Sequence, residues 1–138
     1  MGYLIQNSGD LVKIVVSLKE GELQNMGTTP IKVVTQSAGK VFCVVNAFLQ
    51  LDSAGTAYSG FTHMNLTDGS AFVYASYDYN SFGANITASF ICSLKHPVNK
   101  FGAAFDSTRD IFLQSTVDPT AGTGDGLLTI YGYYLNLI

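Results

Sequence analysis

Two histidines, two cysteines, two glutamates and a scatter of aspartates are the side chains of this 138-residue chain that could do chemistry. A serine-type triad would need His63 or His96 as its base. His63 opens a strand-like run and His96 precedes Pro97 in a loop, and neither has a supporting motif. No Gly-x-Ser-x-Gly elbow, His-Glu-x-x-His helix or phosphate-binding loop is present. Glu20 and Glu22 are one residue apart beside a turn, whereas a glycosidase pair comes from different elements. Cys43 and Cys92 each lie inside an apolar run, which predicts buried free thiols. With two distant histidines they match no zinc spacing. Asp118 and Asp125 bracket the loop DPTAGTGDG, with Asp106 and Asp110 upstream. Such oxygen-rich loops can hold calcium, but the spacing fits no EF-hand, and Asp and Gly are ordinary turn residues. Tyr74, Tyr77 and Tyr79 in YASYDY could stack on sugar rings, or simply pack in a strand or an interface. No enzyme and no cofactor is expected.

The elements that must carry these residues are strands. Apolar runs separated by Gly, Ser, Asp, Asn and Pro lie near 11–18, 30–35, 40–51, 61–66, 71–77, 85–94, 110–115 and 127–137. The stretch KEGELQNM at 19–26 offers at most one helical turn. Eight short strands without intervening helices predict an all-β sandwich or barrel, and a jelly roll takes eight. Residues 11–138 then make one domain behind a short arm, 1–10, with no linker inside it.

The totals say where function is to be sought. Charged residues are 12% of the chain against about 25% in ordinary domains, and 47% of residues are hydrophobic. A domain this small has too much surface to leave so few charges on it, so part of that surface is expected against another chain. A net charge of −3 with Arg109 as the only arginine argues against nucleic acid. No run of about 18 apolar residues exists, so no membrane span is expected. Residues 1–11 show no signal peptide, and Gln6 stands where a myristoylation signal needs Ser or Thr.

Two strands are apolar on both faces, which in a sandwich calls for a cover over one sheet. Counted straight along 40–51, Val41, Cys43, Val45, Ala47, Leu49 and Leu51 share one face, and Phe42, Val44 and Phe48 the other. In the last strand Leu127, Tyr131, Tyr133, Leu135 and Leu137 oppose Leu128, Ile130, Tyr134, Asn136 and Ile138. The face with Gly132 and Asn136 is thinner and more polar, as suits a symmetry axis. The expected subunit interface is therefore Phe42, Val44, Phe48, Ile130, Tyr134, Asn136 and Ile138, with the odd-numbered set in the core.

The stretch 25–60 carries Thr28-Thr29-Pro30 before an aliphatic strand, Gly39-Lys40-Val41 turning into a long apolar strand, and Gly55-Thr56-Ala57-Tyr58-Ser59-Gly60. In these motifs it resembles a small-protein family of tailed-bacteriophage genomes. Gly124-Asp125-Gly126-Leu127 through Tyr134 is similar to the family's turn into a Tyr-rich last strand. The chain departs from the pattern at Thr35-Gln36-Ser37-Ala38, where relatives commonly have a proline. The resemblance implies a virion structural protein, assembled in the host cytoplasm, with a tumour-necrosis-factor-like jelly roll that forms a homotrimer. Head decoration or fibre attachment is the role it implies, with the major capsid protein or another virion protein as partner. The polar, Gly-containing arm, including Tyr3, Leu4 and Ile5, is the expected docking element. The alternative is a carbohydrate- or receptor-binding module of a fibre or spike tip, whose aromatic loops would contact host glycans.

Overall fold

In the computed structural model the described residues are 11–36, 39–51, 56–69, 73–78, 86–90 and 110–136. They form β1 (Val12–Leu18), α1 (Glu20–Gln24), β2 (Ile31–Val34), β3 (Lys40–Leu51), β4 (His63–Thr67), β5 (Val73–Asp78), β6 (Ile86–Phe90), β7 (Ile111–Ser115) and β8 (Gly126–Asn136). The chain is all-β, with two four-stranded antiparallel sheets in the orders β1-β8-β3-β6 and β2-β7-β4-β5. Strands pair first with eighth, second with seventh, third with sixth and fourth with fifth. Successive pairs alternate between the sheets, with β1–β8 and β3–β6 in the first and β2–β7 and β4–β5 in the second.

The sheets share one core, as a β-sandwich does. The first sheet contributes Leu18, Phe42, Ala47, Leu49, Leu128 and Ile130, and the second contributes Ile31, Met64, Leu66, Ile111 and Leu113. Each large side chain removed from water here is worth about 1.5–3 kcal/mol. Alternation makes this possible on β7, where Ile111, Leu113 and Ser115 are buried and Phe112 and Gln114 are only partly so.

Three crossovers between the sheets meet at one end of the sandwich. Helix α1 lies in the first of them, and its entry is held by Glu22, whose carboxylate accepts the Lys19 N–H at 2.9 Å. Its buried residue Leu23 joins the core, so one turn suffices. The second crossover (56–60) is stitched to the third (116–125) by backbone bonds Ser59 to Ala121, Thr120 to Ser59 and Thr123 to Thr56. No described helix is long and apolar enough to cross a membrane.

Candidate functional site

The outer faces of the two sheets differ in kind. On the second sheet the outward set includes Lys32, Asn65, Ser76 and Gln114, with Phe112 as an aromatic member. Ser76 Oγ donates to Asn65 Oδ1 at 2.6 Å, and Lys32 pairs with Asp110 at 3.1 Å. Gln114 Nε2 donates to the Gly27 carbonyl at 3.3 Å, so the polar members of that face find partners within the chain. On the first sheet the register brings Val15 and Phe48 to either side of Thr129, Ser17 and Gln50 to either side of Leu127, and Lys13 and Asn46 to either side of Tyr131. Cys43 stands opposite Tyr133. Val15 is 52% exposed, Leu127 39% and Phe48 38%, and the Phe48 ring meets Tyr131 edge-on with centroids 6.1 Å apart. Lys13 is the one charged residue among these. A face that exposes Val15, Phe48 and Leu127 beside tyrosine rings, among the polar Ser17, Asn46, Gln50 and Thr129 and a single charge, has the mixture that association surfaces show.

The two-sided apolar character of β3 and β8 is therefore real, but the faces are exchanged relative to the sequence reading. Phe42 and Ile130 are fully buried in the chain's own core, and Val44 and Tyr134 pack against it. The four thus lie on the inward side of the sheet, Phe42 and Ile130 within the chain's own core, where the sequence reading had placed them at a subunit interface. Phe48 does stand outside. Leu127, Tyr131 and Tyr133, expected inside, are on the outer face. Asn136 ends β8 with its side chain outside the described set, and Ile138, Tyr3, Leu4 and Ile5 lie outside the described residues.

Two local features cause the exchange. The β3–β8 register shifts between Val44 and Asn46, so Val45 is an extra residue that opposes none. Inward parity therefore passes from Phe42 and Val44 to Ala47, Leu49 and Leu51, which straight counting separates. The second feature is Gly132, paired with Val44 beside that bulge. The space a side chain would use there is already taken. A Cβ on Gly132 would sit 2.2 Å from the Cys43 carbonyl oxygen and 2.6 Å from the Phe42 ring. The face with Gly132 looks thin in the sequence because Phe42 reaches across from β3 to fill it.

The residues weighed for chemistry have structural partners instead. Asp118 accepts the N–H groups of Gly27 and Thr28, both at 2.8 Å, and the Thr28 hydroxyl at 2.9 Å. Asp125 accepts the Glu20 N–H at 3.0 Å and the Lys19 ammonium at 3.1 Å. Asp110 accepts the Gln36 N–H at 2.9 Å. The backbone bonds from Thr28, Glu20 and Gln36 are the main reason that Asp118, Asp125 and Asp110 are held below the usual carboxylate range. Among the described residues no three of His, Cys, Asp and Glu converge as a metal site would require; Asp106 lies outside them. His63 is exposed at the start of β4, its Nδ1 3.1 Å from Thr62 Oγ1.

Cys43 is unpaired, but it sits half-buried on the outer face rather than in the core, with burial pushing its thiol up. Cys92 is outside the described residues. Tyr74 packs partly buried against the core, and the side chains of Tyr77 and Tyr79 are outside the described set. Tyr58 is buried and lies over Gly122, and its hydroxyl donates to the Gly124 carbonyl at 2.6 Å. Burial first, then the charges of Glu20 and Asp125, push this phenol up to about 12.

These contacts draw the quoted motifs together. Thr28 reaches Asp118, Tyr58 reaches Gly124, and Asp125 reaches α1, all at the closed end of the sandwich. No signal in local sequence announces these pairs, because each joins segments far apart along the chain. No family model, curated protein or solved structure matches the chain.

Proposed function

We propose that this chain is a structural assembly protein whose outer first-sheet face is covered by further copies of itself. The observation that supports this reading is the contrast between the two outer sheet faces. One is polar and internally satisfied; the other exposes Val15, Phe48 and Leu127 beside Tyr131 and Tyr133. Burying such side chains gives about 25 cal/mol for each Å² of apolar surface removed from water. No cluster among the described residues offers a competing chemistry.

The finer reading is an eight-stranded jelly roll acting as a homotrimer on a tailed-phage particle, as a capsid decoration or head-fibre protein. The pairing of first strand with eighth through fourth with fifth supports the jelly roll. The resemblance to the phage family supports the trimer and the particle. In this reading the protein acts by association alone, and its partner beyond itself is another virion protein.

Light scattering of the intact chain tests the central point. The wild type is expected to have the mass of three copies, or of a multiple of three, at micromolar concentration. Phe48→Asp and Leu127→Asp are each expected to stay folded and lose this threefold assembly, because they place a charge on the outer face and leave the core untouched. A wild type that is monomeric, or variants that keep the full mass, would overturn the reading. The particle setting is tested by adding purified protein to undecorated capsids of a candidate phage, where failure to sediment with any of them argues against decoration.

A further inference from the structure

Edge strands invite pairing, and folded proteins protect them with shortness, bulges or charges. In the second sheet both edges are protected. β2 has four residues, a register shift between Lys32 and Val34, and Lys32 ion-paired to Asp110. β5 carries a bulge at Tyr74, where the register with β4 slips. In the first sheet β6 is five residues long. β1 differs from all of these. It runs seven residues in unbroken register with β8, has no Pro or Gly, and bears one charge, Lys13. Among the described residues, nothing pairs with its other side. Its inward residues Val12, Ile14 and Val16 pack against the core yet stay only partly buried.

We infer that β1 is a docking edge for β1 of a second copy, paired antiparallel about a twofold axis through Val15. The sequence VKIVVSL is self-complementary in that register. Val15 meets Val15, Lys13 meets Ser17, Ile14 meets Val16, and Val12 meets Leu18. Inward residues oppose inward residues throughout, which a shift by one position would destroy. Lys13 avoids its own copy, so no like charges meet across the pair. The contact closes the open ends of two cores, since each copy covers the other's Val12, Ile14 and Val16. It also joins two four-stranded sheets into one of eight, bringing the exposed Val15 side chains of the two outer faces together.

The inference builds on the association reading and adds a second, separate contact. Its twofold axis is normal to the sheet, so it is compatible with a threefold axis that the outer faces surround. Together they give six copies with dihedral symmetry.

Site-specific cross-linking tests the contact. In an antiparallel pair the Cα atoms of directly opposed residues are about 4.5–5.5 Å apart, within the range of about 4.4–6.8 Å that a disulfide spans. In a background of Cys43→Ser and Cys92→Ser, Val15→Cys is expected to give covalent pairs on mild copper-phenanthroline oxidation. Lys13→Cys and Ser17→Cys alone are not expected to cross-link, but the double variant is. Circular dichroism and thermal unfolding of each variant must match the background. Cross-linking at all positions alike, or at none while light scattering still shows an assembly, overturns the edge contact and leaves the outer-face reading standing. Cross-linking at Val15 that persists in Phe48→Asp, in a wild type whose mass is two copies, supports the edge and overturns the outer-face reading. A monomeric wild type with no cross-link overturns both.

Discussion

Replacing Gly132 with alanine adds one methyl group at a crowded point of the first sheet. The new carbon would stand 2.2 Å from the Cys43 carbonyl oxygen and 2.6 Å from Phe42 Cζ. Phe42 has little room to retreat. It is fully buried and packed edge-on against Tyr134, with ring centroids 5.0 Å apart. The carbonyl belongs to the neighbouring strand and moves only if β3 and β8 separate. Overpacking of a filled core costs about 1–3 kcal/mol, and contact with backbone places this case at the upper end. The unfolded chain loses some freedom with alanine, but that favours folding by less than about 1 kcal/mol.

For a chain of 138 residues, an unfolding entropy of about 2.1 cal/mol/K per residue turns 3 kcal/mol into a fall in Tm of roughly 10 °C. The chain has no tryptophan, so circular dichroism is the practical signal. Protein concentration must be held fixed, because association raises the apparent Tm. Gly21→Ala is the control. An added Cβ there meets nothing within 4 Å, and its place in α1 makes alanine favourable by up to about 1 kcal/mol. If Gly132→Ala is as stable as the wild type, the account of why β8 turns its thin face inward is wrong.

Tyr134→Asp is expected to abolish folding, since the ring packs on Phe42 and the core, whereas Tyr133→Asp is expected to fold and lose assembly; solubility and dichroism of the two separate the cases. At high pH the unfolded chain releases the Tyr58 proton near 10 while the fold holds it to about 12. The stability this phenol provides is therefore complete below pH 10 and lost as pH rises toward 12, and Tyr58→Phe should remove that alkaline loss in urea titrations. Asp110, Asp118 and Asp125 act in the opposite sense. Their depressed values mean stability that is present above about pH 4 and lost as acid protonates them, so Asp118→Ala should flatten the acid limb of the stability curve.

Strand positions were written plainly in the sequence, because turn residues punctuate runs of β-branched and aromatic side chains. The run 40–51 is β3 residue for residue, and 127–137 differs from β8 by one position at each end. The single helical turn expected in 19–26 is α1. The direction in which side chains point was not legible. Alternation counted through Val45 misses the bulge, and one extra residue reverses everything on one side of it. Gly132 misled for a related reason, since the Phe42 that fills its space belongs to another strand. The aspartates were legible as turn residues but not as partners of Thr28, Glu20 and Gln36, because only the fold brings those segments together.

Chain order and spatial order disagree most for β8. Among the described strands it comes last in sequence, yet it sits between β1 and β3 in the middle of its sheet. Until it is in place, β1 has no sheet to belong to and β3 has one edge unpaired along its length, with β6 on the other. Completing this sheet thus requires a contact between the two described strands most distant in sequence, and long-range pairing of that kind favours slow folding. The partly made domain exposes both sticky edges at once, just as ribosomes crowd sibling chains along one message. Trimming or tagging close to β8 would therefore be felt in yield and solubility before it was felt in any property of the finished protein.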